Sequence, residues 1–320
     1  MEAQTTGEIP LGWEWQYEPK WDGFRCLVFR NGNDVYLQSK TNPLARYFPE
    51  VVQNMLQLNA SNFVLDGELI IPQNDKLSFD ALLARLHPAA SRVQKLSVET
   101  PATFVAFDML QDESKQSLLD EPLFVRRAAL ELFAANQLPA NGILLSPATT
   151  DAAVAEGWFQ KSGGGLDGVM AKLISAPYTP GERIAMRKFK NLRTAECIVG
   201  GFRYGSGTGD ASKIVGSLLL GLYDDAGLLH HVGFTSAMSA HERAELTPKL
   251  EKIVSTSAFT GASPGKPSRW SSGRSAEWLP LRPELVVEVQ YDHFSGNRFR
   301  HGTDLLRWRP DKPPAACTFH

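Results

Sequence analysis

Short runs of alternating apolar and polar residues dominate the chain, interrupted by a few stretches with helical periodicity. Cys26–Arg30 and Val35–Ser39 read as the two strands of a hairpin around Asn31-Gly32-Asn33, a strong turn signal. Pro49 opens a helix through about Leu58, with Val52, Met55 and Leu56 on one stripe. Phe63–Ile71 predicts a strand, and Ser78 caps a short helix reaching Leu86. Phe104–Leu110 predicts another strand and Glu121–Ala135 an amphipathic helix. Ile143–Ser146 and Gly168–Leu173 are strands on either side of a helix near Asp151–Lys161.

After Lys190 the texture changes. Ile198–Tyr204, Val215–Tyr223, Leu228–Phe234 and Glu284–Tyr291 read as short strands between Gly-rich turns, with one good helix from Ser239 to about Val254. Several short strands, one helix and basic tips predict a small β-barrel of the oligonucleotide-binding (OB) type. The expected organisation is an α+β domain of antiparallel sheets with helices over 1–192, then an OB-fold domain over 193–320. Ser255–Gly273, rich in Ser, Gly and Pro, is expected to be a loop of the second domain. Gly163-Gly164-Gly165 precedes a strand rather than a helix, and the Gly205–Gly209 run lacks the lysine of a phosphate loop, so both are read as turns.

At 320 residues two domains are the default, and 43% apolar with 21% charged residues supplies material for real cores. No stretch approaches the roughly 20 apolar residues of a membrane span, and Met1–Pro10 lacks the basic-then-apolar layout of a signal peptide. A cytoplasmic protein without a membrane partner is expected. Cys26, Cys197 and Cys317 are scattered and odd in number, which suggests neither a disulfide framework nor a zinc site. A net charge of −2 argues against a global nucleic-acid coat but leaves room for local basic fields. Two segments carry them: Arg183, Arg187, Lys188, Lys190, Arg193 and Arg203, then Arg298, Arg300, Arg307, Arg309 and Lys312. Such runs are more often solvated faces than sites.

The segment with the sharpest chemistry is Glu18-Pro19-Lys20-Trp21-Asp22-Gly23-Phe24-Arg25. Lys-x-Asp-Gly alone is weak and fits a surface turn; the segments that follow strengthen it. Leu65-Asp66-Gly67-Glu68 puts two acids on one face of an apolar strand, where unpaired charge would be costly. Phe107-Asp108 repeats the theme. Asp167 and Lys172 stand at the two ends of a short strand, and Lys188 and Lys190 share a face. Two ammonium groups so placed repel unless an anion lies over them. Arg307-Trp308-Arg309-Pro310-Asp311-Lys312 ends the series.

Taken in this order, Lys-x-Asp-Gly-x-Arg, Asp-Gly-Glu, Phe-Asp, Asp-Gly-Val-x-x-Lys, Lys-x-Lys and Arg-x-Asp-Lys resemble the motif series of covalent nucleotidyltransferases. More narrowly, Tyr17–Arg25, Leu192–Cys197 and Gly216–Tyr223 resemble small bacterial ATP-dependent DNA ligases of the ligase C type, and the ligase domain of ligase D. The resemblance runs from about Tyr17 to Thr318. It implies an adenylyltransferase domain ahead of the barrel and ATP as cofactor. Lys20 Nζ would attack the α-phosphorus, AMP would pass to a 5′-phosphate, and a 3′-OH would displace AMP. The lysine must be uncharged to attack, which burial and nearby cations such as Lys188 and Lys190 would favour.

The same resemblance places Glu18 and Phe107 on the adenine, Arg25 at the ribose or nick end, and Glu68 at the ribose hydroxyl. Lys40, Arg183, Lys188 and Lys190 add cationic contacts, and Arg309 and Lys312, with Asp311, close over pyrophosphate in the first step. Asp22, Glu68 and Asp167 would organise Mg²⁺ or Mn²⁺. Nicked double-stranded DNA is the implied partner of a monomer, with repair proteins alongside and the nucleoid as its place when bound. Departures from the motifs are Ser39-Lys40-Thr41 for Ser-Arg-Asn, Met186 for an aromatic residue, Asp167 for Glu, and an unrecognisable Pro-rich segment before Lys20. An RNA ligase or capping-type nucleotidyltransferase is the alternative activity; a silent nucleic-acid-binding module is the alternative from another class.

Overall fold

The computed structural model describes residues 1–74, 76–138, 142–161, 166–205, 213–265 and 277–319. Gly163–Gly165, residues 206–209 of the second glycine run and residues 266–273 of the Ser/Gly/Pro segment lie outside the described residues. The chain divides into two compact units, Met1–Asn191 and Leu192–His320.

The first unit is built on two sheets. One has the order β1 (Gln4–Thr5), β9 (Met186–Lys190), β8 (Leu166–Leu173), β2 (Trp15–Trp21). The other runs β4 (Asp34–Gln38), β3 (Phe24–Asn31), β5 (Asn62–Ile70), β6 (Thr103–Gln111), β7 (Ile143–Leu145), with only β6–β7 parallel. Period-two alternation sorts β5: Phe63, Leu65 and Leu69 enter a core with Phe48, Met55 and Phe104, while Asp66 and Glu68 take the other face. Pro19 sits on β2, an edge strand, where its missing N–H breaks no ladder.

Helices cover the sheets: α1 (Pro49–Leu56), α2 (Phe79–Arg85), α3 (Ala90–Glu99), α4 (Leu123–Gln137) and α5 (Ala152–Gln160). Ser78 and Asp151 cap α2 and α5 by accepting from Ala81 and Ala153 N–H. Strand β2 and helix α3 are not among the elements the sequence pattern predicts, and α4 begins two residues later than expected because Pro122 is the cap rather than a helical residue.

The second unit has its own core, including Ile198, Phe202, Leu219, Val232 and Val287. Its sheet runs β12 (Leu229–Thr235), β11 (Val215–Tyr223), β10 (Arg193–Tyr204), β14 (Val286–Tyr291), β15 (Asp304–Trp308), with the short β13 (Leu279–Pro280) against β10. Thr235 at one end of this path bridges to Thr303 beside the other end, its hydroxyl donating to the Thr303 carbonyl at 2.7 Å. The sheet therefore curls into a barrel, as expected for an OB-type fold. Helix α6 (Ala240–Glu251) starts in a capping box between Ser239 and Glu242.

Candidate active site

A cleft opens in the first unit, lined by Glu18, Pro19, Lys20, Trp21, Arg25, Glu68, Phe107, Met170, Lys172 and Met186. Both sheets contribute: β2, β8 and β9 from one, β3, β5 and β6 from the other. Its lining combines apolar and aromatic walls with charged groups, as ligand clefts do.

Lys20 lies near the end of β2, and its Nζ donates to the Asp167 carboxylate. Asp167 is the second residue of β8, and Gly168 behind it has φ +133, with Phe189 O only 2.0 Å from where a Cβ would stand. That close approach sets β9 against β8 and brings Lys190 Nζ within 3.8 Å of the same carboxylate. Lys188 is held below its ordinary value by burial first, then by Lys190 and Lys20. Lys20, Lys188 and Lys190 thus gather as the sequence pattern suggests.

Glu18 is 2% exposed and already bonded at both oxygens, accepting from Gln16 Nε2 at 2.8 Å and Lys172 Nζ at 2.8 Å. The Lys172 ammonium also sits 4.5 Å from the Phe107 ring centroid, an attraction of about 0.5–2 kcal/mol. Lys172 had no assigned role in the sequence reading; the signal was its place at the far end of the Asp167 strand. Arg25 forms a two-pronged pair with fully buried Asp66, at 3.1 and 2.6 Å, and Tyr178 hydroxyl donates to the same carboxylate at 2.8 Å. Tyr178 was also missed, because it stands outside every motif. Burial pushes Glu68 up to about 8 despite Lys20 and Arg25, which pull it down, with Asp66 and Asp22 adding to the rise.

The structure does not bring every expected residue into one place. Asp22, Glu68 and Asp167 do not form one metal cluster: no three acids, histidines or cysteines gather to hold an ion among the described residues. Asp167 is instead paired with Lys20. Asp22 and Glu68 are close enough to influence each other, which suits an ion that takes one or two carboxylates and completes its shell with phosphate oxygens and water. Lys40 and Arg183 do not line the cleft. Both are exposed and held by Glu2, whose carboxyl falls to about 2 through those two hydrogen bonds.

Arg309 and Lys312 belong to the second unit. Both donate to Glu196, and Arg309 also pairs with Asp311 at 2.8 Å, so the basic tip is internally neutralised by its own acids.

A cleft between two sheets, lined by Lys20 with further lysines beside it and followed in the chain by a barrel, is the layout of a nucleotidyltransferase-type protein. Two family descriptions fit the chain: ATP dependent DNA ligase domain over residues 10–190, and ATP dependent DNA ligase C terminal region over residues 211–312. DNA ligase C2 of Mycolicibacterium smegmatis is 44% identical over the whole chain and 92% of that protein. The multifunctional non-homologous end joining DNA repair protein LigD of Mycobacterium tuberculosis is 30% identical over 94% of this chain and 37% of its own length. A solved Lig E DNA ligase shares the fold, with TM-score 0.57, 18% identity and coverage of 96% of this chain and 98% of that one. The chain belongs to the ATP-dependent DNA ligase family.

Proposed function

We propose that this ATP-dependent DNA ligase seals 5′-phosphate/3′-OH nicks in duplex DNA through AMP joined to Lys20. The observation that supports this most is the placement of Lys20 in the lining of the cleft, with Lys188, Lys190 and Glu68 around it. In the first step a P–N bond forms between Nζ and the α-phosphorus, and the bond to the β-phosphate oxygen breaks, releasing pyrophosphate. The ammonium must first shed a proton, and the Asp167 carboxylate is the base in contact with it. Lys188 and Lys190 offset charge building on the α-phosphate.

In the second step the 5′-phosphate oxygen at a nick takes AMP and the P–N bond breaks. In the third the 3′-OH attacks the 5′-phosphorus, loses its proton, and AMP leaves. On this reading Phe107 stacks on adenine, Glu18 meets its edge, and Arg25 and Glu68 address the ribose. Asp22 and Glu68 would hold Mg²⁺ or Mn²⁺, which supplies charge neutralisation at the phosphates. Arg309, Asp311 and Lys312 engage pyrophosphate. Lys40 and Arg183, displaced from Glu2, contribute phosphate contacts outside the cleft. The same proposal assigns 1–192 to adenylyl transfer and 193–320 to an OB-fold that grips DNA, in a cytoplasmic monomer acting with repair proteins.

The test is incubation with α-labelled ATP, followed by transfer to nicked DNA and nicked RNA in parallel. Wild type should take up label and pass it to nicked DNA, while Lys20→Ala stays unlabelled. Label retained on Lys20→Ala would defeat the mechanism; preferential transfer to RNA would move the chain to the RNA-ligase alternative.

A further inference from the structure

Alternation along β2 puts Gln16, Glu18 and Lys20 on one face, so an amide and an acid stand in line with the reactive lysine. Across the ladder, β8 sets Lys172 opposite Gln16 and Met170 opposite Glu18. The Glu18 carboxylate thus meets two donors, one from its own strand and one from the strand beside it. Gln16 Nε2 donates to Oε1 and Lys172 Nζ to Oε2, each at 2.8 Å. An ionised carboxylate only accepts, which fixes the Gln16 amide with its NH₂ toward Glu18. All three side chains are buried, yet Glu18 and Lys172 reach the lining of the cleft.

The two donors have different duties. Lys172 also donates to the Phe107 carbonyl at 3.4 Å and sits over the Phe107 ring, so it ties Glu18 to the aromatic wall of the cleft. The Gln16 amide is not part of that lining; its contact is with Glu18. One donor would leave the carboxylate free to rotate, whereas a donor on each oxygen defines its plane. A carboxylate offers about four lone-pair sites, so acceptor capacity remains for a ligand. Charge alone does not choose between purines. Adenine presents an amino donor at position 6 and guanine an oxygen, but guanine N1–H and its 2-amino group would satisfy an acid free to turn. Discrimination therefore depends on how the acceptor is held.

We propose that Gln16 is a positioning residue that selects the purine: by fixing the Glu18 carboxylate it directs the remaining lone pairs at a 6-amino group, so that ATP is accepted and GTP refused. The inference rests on the reading that places Glu18 at the adenine edge and AMP on Lys20. Gln16 acts through Glu18 and touches neither the nucleotide nor the reacting atoms.

The experiment follows self-labelling of the full chain, by intact mass, with ATP, GTP and purine riboside triphosphate, which lacks the 6-amino group. Wild type is compared with Gln16→Met, which keeps the length of the side chain and removes the donor; melting shows whether the variant folds. Deleting the 6-amino group should raise KM roughly 10-fold in wild type, as for a hydrogen bond to a charged group. In Gln16→Met the same deletion should cost much less, because the acceptor is no longer held in place. For ATP, Gln16→Met should raise KM by about 10-fold with the saturating rate changed far less, and the preference for ATP over GTP should narrow by a similar factor. A folded Gln16→Met chain that keeps the wild-type preference and the wild-type 6-amino effect overturns the proposal. So does an equal fall in saturating rate with all three nucleotides, which marks a merely structural role. Should Gln16→Met not fold, Gln16→Ala takes its place under the same criteria. Wild type that takes label from none of the three would count against the ligase reading instead.

Discussion

Glu68 shows how a side chain's surroundings set its chemistry. In the folded chain burial pushes its carboxyl up to about 8, against an ordinary value of 4.5. Between those values the folded state binds one proton more than the unfolded state, so stability falls as pH rises, by at most about 1.4 kcal/mol per pH unit. Urea melts of Glu68→Gln between pH 5 and 8 should show a flatter pH dependence than wild type; parallel curves would refute the buried-acid account. Lys20, Glu68, Lys188 and Lys190 were legible in the sequence because strand alternation and motif order single them out. Their partners were not. Asp66 holding Arg25, Lys172 holding Glu18 and Glu2 holding Lys40 join positions far apart in the chain, and a lone acid or lysine carries no signal of which opposite charge it will meet.

At the scale of elements, the hairpin, the Asp-Gly-Glu strand, the Phe-Asp strand and most barrel strands were readable from period-two patterns and turn residues. Strand β2 was not, since Trp15–Trp21 is buried over most of its length and shows no alternation. Helix α3 buries only Val93 and Ser97, too thin a stripe to announce itself. What the motif glycines do structurally also needed coordinates. Gly168, at φ +133 against the Phe189 carbonyl, lets β9 come close enough to bring Lys190 to Asp167. Gly67 lies equally close to Phe104 and the Val105 carbonyl, each 2.4 Å from a built Cβ. Gly168→Ala therefore combines backbone strain with a backbone clash, and should lose on the order of 1–3 kcal/mol of stability. Self-adenylation should fall with it as β9 is pushed away; a variant with unchanged melting and labelling would show that this approach is unimportant.

For the whole molecule, the two units differ in where their apolar residues gather. Every buried apolar cluster among the described residues draws its members from one side of Asn191: three from the first unit and one from the second. Cooperative unfolding follows shared burial, so separate cores predict separate transitions. The Glu18–Lys172 pair gives a clean handle on the first, because both side chains are buried and Glu18 accepts from Lys172 at 2.8 Å. Removing one partner leaves an uncompensated buried charge, which typically costs about 3–5 kcal/mol. Lys172→Met should therefore lower one transition in calorimetry or urea melts and leave the other in place. Glu18→Gln combined with Lys172→Met, which removes both charges, should recover part of the loss. A single transition that moves as a whole in Lys172→Met would mean that the chain unfolds as one body despite its divided cores.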